Sequence, residues 1–212
     1  ILVPVPINSI PNGAQLIPSL VVCTRKDDGR YKNRLVACGN YVEDSHYTAE
    51  DLFAPTVTRS DTLSLMLWSL SDKNLKWSSV DIKTAFLQSD PTIATQASKK
   101  EREGIYLRPP AIAVKHGKNE TLPSIGQAWK ILKSIYGLRC APKAWARTLQ
   151  QYFKEQGYVT LETDDAVLIN CIDPKTHARV VLAAYVDDLN IFGSALDVDA
   201  AMKAVLERFE VS

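Results

Sequence analysis

Apolar positions along the chain fall into two rhythms, short strand-like runs and longer helical stripes, and their order predicts most of the elements. From 1 to about 58 the runs are short and broken by prolines and turn residues. In "SLVVCTRKDDGRYKNRLVACGNY" two apolar cores, 20–23 and 35–38, flank the turn-rich "KDDGRYKN". Two such runs around an Asp-Gly loop predict a β-hairpin. "TRSDTLSLMLWSLSDKN" switches to the helical rhythm: Thr58, Ser60 or Asp61 can cap it, and Leu63, Met66, Leu67 and Leu70 recur at helical spacing. A short strand, "KWSSVDI", and a turn into "KTAFLQSD" follow. Between 91 and 128 the pattern is least regular, and only "GIYLRPP" reads as a strand there.

The second half is clearer. "APKAWARTLQQYFKEQGY" predicts a helix with Pro142 in its first turn, Gly157 as its stop and Trp145, Leu149, Tyr152 and Phe153 as its buried stripe. A strand "DAVLINCI", a turn at Asp173-Pro174 and a hairpin "ARVVLAAYVDDLNIFG" come next. A last helix has Val198, Met202, Val205, Leu206 and Phe209 along one face. The order β-α-β-β-α with antiparallel pairing predicts an α+β fold, a small antiparallel sheet with its helices segregated on one face.

Composition changes this picture little. A 212-residue chain with 46% apolar and 23% charged residues suits one large domain or two small ones, and a net charge of +1 gives no global attraction to nucleic acid. Any electrostatic surface must therefore be local. Cys23, Cys38, Cys140 and Cys171 and His46, His116 and His177 are too scattered for a zinc site or a disulfide framework, so the thiols are expected to be reduced and buried. The start is interrupted by Pro4, Pro6, Pro11 and Pro18, and no apolar run reaches the roughly 18 residues of a membrane span. An intracellular chain with no membrane partner is expected. It opens on Ile1 and stops in the strand-like "FEVS", as a fragment of something longer would.

Candidate chemistry concentrates in acids at strand ends. "AAYVDDLNIFG" puts Asp187 and Asp188 between two apolar runs, where they form either a solvated hairpin tip or a rigid carboxylate pair. A tight two-residue turn prefers Asn-Gly or Asp-Gly because its positions need φ > 0, so Asp-Asp there calls for compensation. Asp81 ends "SSVD" and could be a helix N-cap. Taken together, the three acids suit two Mg²⁺ ions, which take oxygen ligands. Held about 3.5–4 Å apart, such ions assist an in-line phosphoryl displacement.

"YVDD" after "VDIKTAFL" and "SIYGLRCAPKAW", with "RYKNRLVACG" and "LFAPTVTRSDTLSLML" upstream, closely resembles the reverse transcriptase of copia-type LTR retrotransposons, in order and over nearly the whole chain. The resemblance implies the fingers and palm of a right-hand polymerase with the thumb absent: fingers at 1–58, first palm part at 59–90, a fingers insertion at 91–137 and the second palm part at 138–212. It makes Asp81, Asp187 and Asp188 the catalytic metal ligands, with the Ile82 carbonyl as a further oxygen and Mn²⁺ as a substitute for Mg²⁺. Lys32 and Arg34 would grip the triphosphate, and Phe86 would pack under the sugar and exclude a 2′-hydroxyl. Gly137 would let the backbone approach the nucleotide. Arg25, Lys26 and Tyr185 would touch nucleic acid.

The implied partners are an RNA or DNA template with its primer, dNTPs, and the RNase H and integrase regions of a parent polyprotein. The implied location is a cytoplasmic virus-like particle or the nucleus, not the secretory route. Each assignment keeps a plainer alternative: a core phenylalanine at 86, a helix end at Gly137, a solvated strand face for the basic cluster. Cys38 stands where the family usually has a basic residue, and Cys140, in the template-facing block, where it usually has Gln. A decayed remnant that at most binds nucleic acid therefore remains the second reading.

Overall fold

A computed structural model describes residues 1–43, 47–92, 96–116, 123–173 and 178–212. In chain order the elements are β1 (Leu2–Pro6), β2 (Gln15–Arg25), β3 (Tyr31–Ala37), α1 (Ala49–Leu52), α2 (Arg59–Ser71), β4 (Leu75–Asp81), α3 (Gln96–Gly104), β5 (Ile105–Arg108), α4 (Ala111–His116), β6 (Gln127–Ile131), α5 (Ala141–Glu155), β7 (Val159–Leu161), β8 (Asp164–Asp173), β9 (Ala178–Tyr185), β10 (Asp188–Ser194) and α6 (Ala195–Arg208). The chain divides into two compact units, Ile1–Phe53 with Ser89–Ala144 and Ala54–Gln88 with Trp145–Ser212. The two units part at 53, 88 and 144, the last of these inside α5.

The first unit is built on a five-stranded sheet in the order β1-β6-β5-β2-β3. All its pairs are antiparallel except β2 with β5, a parallel pair that the strand patterns do not predict. The β2–β3 hairpin forms as expected, and its turn is closed by its own residues. The Gly29 amide donates to the Lys26 carbonyl at 2.9 Å, Gly29 sits at φ 84°, and the Arg30 amide donates to Asp28 Oδ1 at 3.0 Å. The irregular stretch 91–128 contains two helices, α3 and α4, that the sequence reading left out. "SKKEREG" lies in α3, where a charged run without an apolar stripe hides the helical rhythm.

The second unit has the sheet order β4-β10-β9-β8-β7, wholly antiparallel. Side chains alternate across it. Val80, Ile82, Leu189, Ile191, Val180, Leu182 and Leu168 face one way and form the main core with Trp145, Leu149 and Phe153 of α5 and Val198, Ala201 and Val205 of α6. Phe192, Val181, Ala183 and Val167 face the other way, against Val57 and against Leu65 and Met66 of α2. Helices therefore cover both faces, which corrects the expected one-sided arrangement. The short strand β7 was also missed.

Helix α2 starts where expected, with Thr58 Oγ1 accepting from the Asp61 amide at 3.1 Å. Its packed side differs from the one read from spacing: Leu63, Leu67 and Leu70 are 49, 69 and 81% exposed. The helix is apolar nearly all round, so periodicity marks it as a helix without choosing which side packs. The α5 stripe holds, with Trp145, Leu149 and Phe153 almost fully buried and Gly157 at φ 86° beyond the helix end. Cys140 is buried, but Cys38 is half-buried and Cys23 exposed, against the expectation for all four thiols. His46, His177 and Pro174 lie outside the described residues, as do the side chains of Cys171 and His116. Among the described residues no helix is long and apolar enough to cross a membrane.

Candidate active site

Strand register sets two of the three predicted acids, Asp81 and Asp188, against each other, and Asp187 lies in the adjoining turn. Asp188, the first residue of β10, is opposite both Asp81 of β4 and Tyr185 of β9. Asp81, Asp188 and Tyr185 lie on the face that carries Phe192 and Ala183. The hairpin turn is not Asp187-Asp188. It is Val186-Asp187, because Tyr185 and Asp188 already pair. Val186 takes φ 56°, and no other described non-glycine residue but Thr84 has a positive φ. A β-branched residue in that region is a strained outlier. Two hydrogen bonds hold the turn: Trp145 Nε1 donates to the Val186 carbonyl at 2.6 Å, and the Ile82 amide donates to the Asp187 carbonyl at 2.8 Å.

The charge here is one-signed. Partial shielding from water, then the negative charges of Asp187 and Asp81, push the Asp188 carboxyl above the usual carboxylate range. Among the described residues none of the three acids pairs with a cation, although Ser212 Oγ donates to Asp81 Oδ2 and the Ser212 amide donates to the Asp81 carbonyl at 3.0 Å. Asp81 is not a helix cap. It ends β4, and the next helical turn, a 3-10 turn, begins at Ala85. As the side chains stand, no three His, Cys, Asp or Glu groups among the described residues are gathered tightly enough to hold an ion. The donor set fits a divalent cation in kind, being hard oxygens with uncompensated charge.

The segment after Asp81 is pinned from several sides. Ile82 is 1% exposed and bridges to Val211, and the Lys83 amide donates to the Glu210 carbonyl at 2.9 Å. Gln88 Nε2 donates to the carbonyls of Lys83 and Glu210, while its Oε1 accepts from the Glu210 amide. Phe86 is half-buried with its ring against the main core.

The other predicted site residues belong to the first unit. Lys32 and Arg34 are opposite Thr24 and Val22 and share one face of the β2–β3 hairpin, with the Arg34 guanidinium over the Tyr136 ring at 5.6 Å. Arg25, opposite Tyr31, faces the other way, and Lys26 is in the turn. Gly137 does not end a helix. It sits at φ 85°, and a Cβ there would be 2.0 Å from the Ala37 carbonyl oxygen. What it approaches closely is therefore the end of β3. Gly39 is pressed on the Gly137 carbonyl in the same way, its Cβ position 2.2 Å from that oxygen.

Cys140 is wholly buried. Its thiol is pushed up to about 12 by burial and by the negative charges of Glu101 and Asp51. Glu101 itself was missed by sequence reasoning. It is 3% exposed, accepts from Tyr47 Oη at 2.7 Å and from the Cys140 amide at 3.2 Å, and has a carboxyl raised above its usual range by burial. Trp145 was read as a stripe residue alone. The available signal was chemical: a buried indole N–H needs an acceptor.

The family described as "Reverse transcriptase (RNA-dependent DNA polymerase)" matches residues 5–212. The chain is 27% identical over 94% of its length to a retrovirus-related Pol polyprotein from transposon TNT 1-94 of Nicotiana tabacum, and 28% identical over 78% to that of transposon RE1 of Arabidopsis thaliana. It is 24% identical over 92% of its length to the transposon Ty1-NL2 Gag-Pol polyprotein of Saccharomyces cerevisiae. It spans 14, 10 and 10% of those three proteins. A solved apo telomerase from Candida Tropicalis superposes with a TM-score of 0.49 at 11% identity, over 97% of this chain and 48% of that one.

Proposed function

Because the chain belongs to the reverse transcriptase (RNA-dependent DNA polymerase) family, we propose that it extends a primer 3′-hydroxyl with deoxynucleotides along an RNA or DNA template, using Asp81, Asp187 and Asp188. The observation that carries this reading is the register of β4 with β10, which sets Asp81 against Asp188 while the Ile82 amide holds the Asp187 carbonyl. Asp81 and Asp187, with the Ile82 carbonyl, would hold two Mg²⁺ ions, or Mn²⁺ in their place, and Asp188 would support them. When bound, such ions neutralise charge on the attacking and leaving oxygens of a phosphoryl transfer.

The residues otherwise bind and orient. The primer hydroxyl gives up its proton to water as its oxygen bonds to the α-phosphorus, the bond from that phosphorus to the oxygen bridging to the β-phosphate breaks, and pyrophosphate leaves, with Lys32 and Arg34 on the triphosphate and Phe86 against the sugar. Gly137, packed against the end of β3, would hold that stretch of backbone beside the nucleotide. Tyr185 on the acid face, and Arg25 and Lys26 on the basic hairpin, contact the strands largely through phosphate and sugar, so binding weakens steeply with salt. The unit with 54–88 and 145–212 is the palm and the other unit the fingers. The working context is a retrotransposon polyprotein with RNase H and integrase regions, in a cytoplasmic virus-like particle or the nucleus.

Primer extension on a homopolymeric RNA template with Mg²⁺ or Mn²⁺ tests the reading. Incorporation that vanishes in Asp187→Asn is expected. Binding of template without incorporation would instead mark the chain as a decayed remnant.

A further inference from the structure

Two peptide planes flank the Cα of Asp187, and each is anchored by a donor from a different element. The plane before it carries the Val186 carbonyl, which takes the Trp145 indole N–H at 2.6 Å. The plane after it carries the Asp187 carbonyl, which takes the Ile82 amide at 2.8 Å. With both planes fixed, the direction of the Asp187 Cα–Cβ bond is fixed as well. The second anchor comes from the strand pairing of residues beside Asp81. The first does not follow from any sheet pattern.

From this geometry we infer that Trp145 is a positioning residue, whose indole N–H holds the Val186–Asp187 peptide so that the Asp187 carboxylate is presented beside Asp81 and Asp188. The inference rests on the polymerase reading for its functional consequence, not for the clamp itself.

The turn has reason to need holding. Val186 alone of its two central residues has positive φ, the pattern of a turn that favours glycine at that position. A valine there leans towards other conformations, and a flipped peptide would turn the Val186 carbonyl away and swing Asp187 with it. Trp145 is well placed to resist. It is 1% exposed, its ring is packed edge-on against Phe209 at 5.3 Å, and it sits near the start of α5, so its nitrogen cannot drift. Withdrawing the donor leaves a carbonyl unsatisfied beside the core, which is costly.

The test is a cycle of Trp145→Phe and Val186→Gly. Phenylalanine keeps the ring packing and removes the donor, and glycine at 186 adopts the turn without help. Trp145→Phe is expected to lower the turnover of primer extension roughly ten-fold, as the loss of a buried hydrogen bond allows. The dNTP KM is expected to stay within about two-fold. It is also expected to speed hydrogen exchange at the Ile82 amide, whose acceptor is the Asp187 carbonyl. Adding Val186→Gly should bring both quantities back to within about three-fold of the Val186→Gly single variant.

Unchanged Ile82 exchange in Trp145→Phe, or effects of the two changes that simply multiply, would overturn the proposal. A chain that shows the exchange pattern but incorporates no nucleotide would keep the clamp and discard the polymerase reading. Should Trp145→Phe not fold, the unmodified protein decides. A through-hydrogen-bond coupling between the Trp145 indole nitrogen and the Val186 carbonyl carbon in its NMR spectrum upholds the bond, and its absence removes it.

Discussion

Two hairpins in this molecule carry charge at their tips and are built on opposite terms. The β9–β10 hairpin ends in Asp187 and Asp188, and the strands behind it are buried on both faces: Leu182, Ala183, Ile191 and Phe192 have no exposure. The β2–β3 hairpin carries Arg25, Lys26, Arg30, Lys32 and Arg34, and Leu20, Val21 and Val22 along it are 43, 37 and 37% exposed. The basic turn is closed locally by Asp28, Gly29 and Arg30, including a 2.8 Å bond from Arg30 Nε to Asp28 Oδ2. The acidic turn is imposed from outside, by Trp145 and Ile82, on a residue that would not choose it. One turn is specified by its own residues and the other by its surroundings.

The sharpest way to break the contrast is at the acids. Asp187→Asn should reduce nucleotide incorporation on the order of 10³-fold or more, while the melting temperature holds or rises because like charges are relieved. A matching fall in stability, read by calorimetry, would move Asp187 from chemistry to structure. Next in size is Gly137→Ala in the first unit, where a Cβ must displace the Ala37 carbonyl at a positive φ. Urea unfolding should show a loss of about 3 kcal/mol.

On the basic hairpin, Lys32→Ala and Arg34→Ala should each raise the dNTP KM several-fold, roughly 1 kcal/mol, and leave folding untouched. An unaltered KM would leave them as solvated charges. Asp188 gives a pH signature. Its folded pKa is raised, so the folded state binds its proton more tightly and stability falls as pH rises from the unfolded value, 3.8, through the raised one. Asp188→Asn should flatten that slope in thermal melts taken across the acid range. Smallest is Gly29→Ala, which meets only the end of the Arg25 side chain at 3.9 Å and should cost about 1 kcal/mol from backbone strain alone.

This difference also explains what could be read from the chain. The β2–β3 turn was legible because Asp28-Gly29 encodes it, and α5 because Trp145, Leu149 and Phe153 keep a clean helical interval. The Asp81–Asp188 pairing was anticipated from acids at strand ends, together with the family resemblance. The true turn residues were not, since nothing local makes Val186 adopt φ 56°. Helix α3 was hidden by its charged run. The packed side of α2 was hidden because that helix is apolar on nearly every side. Gly137 was read as a close approach to the nucleotide, whereas the backbone it is seen to approach, at Ala37, lies 100 positions away and no local pattern names it.

The contact of Ser212 with Asp81 has a practical side. The last residue donates both its amide and its hydroxyl to that aspartate. A polyhistidine purification tag fused directly after Ser212 would therefore emerge beside the very carboxylates expected to capture divalent ions, and its imidazoles would compete for them. Metal titrations and extension assays should use protein tagged elsewhere or with the tag removed.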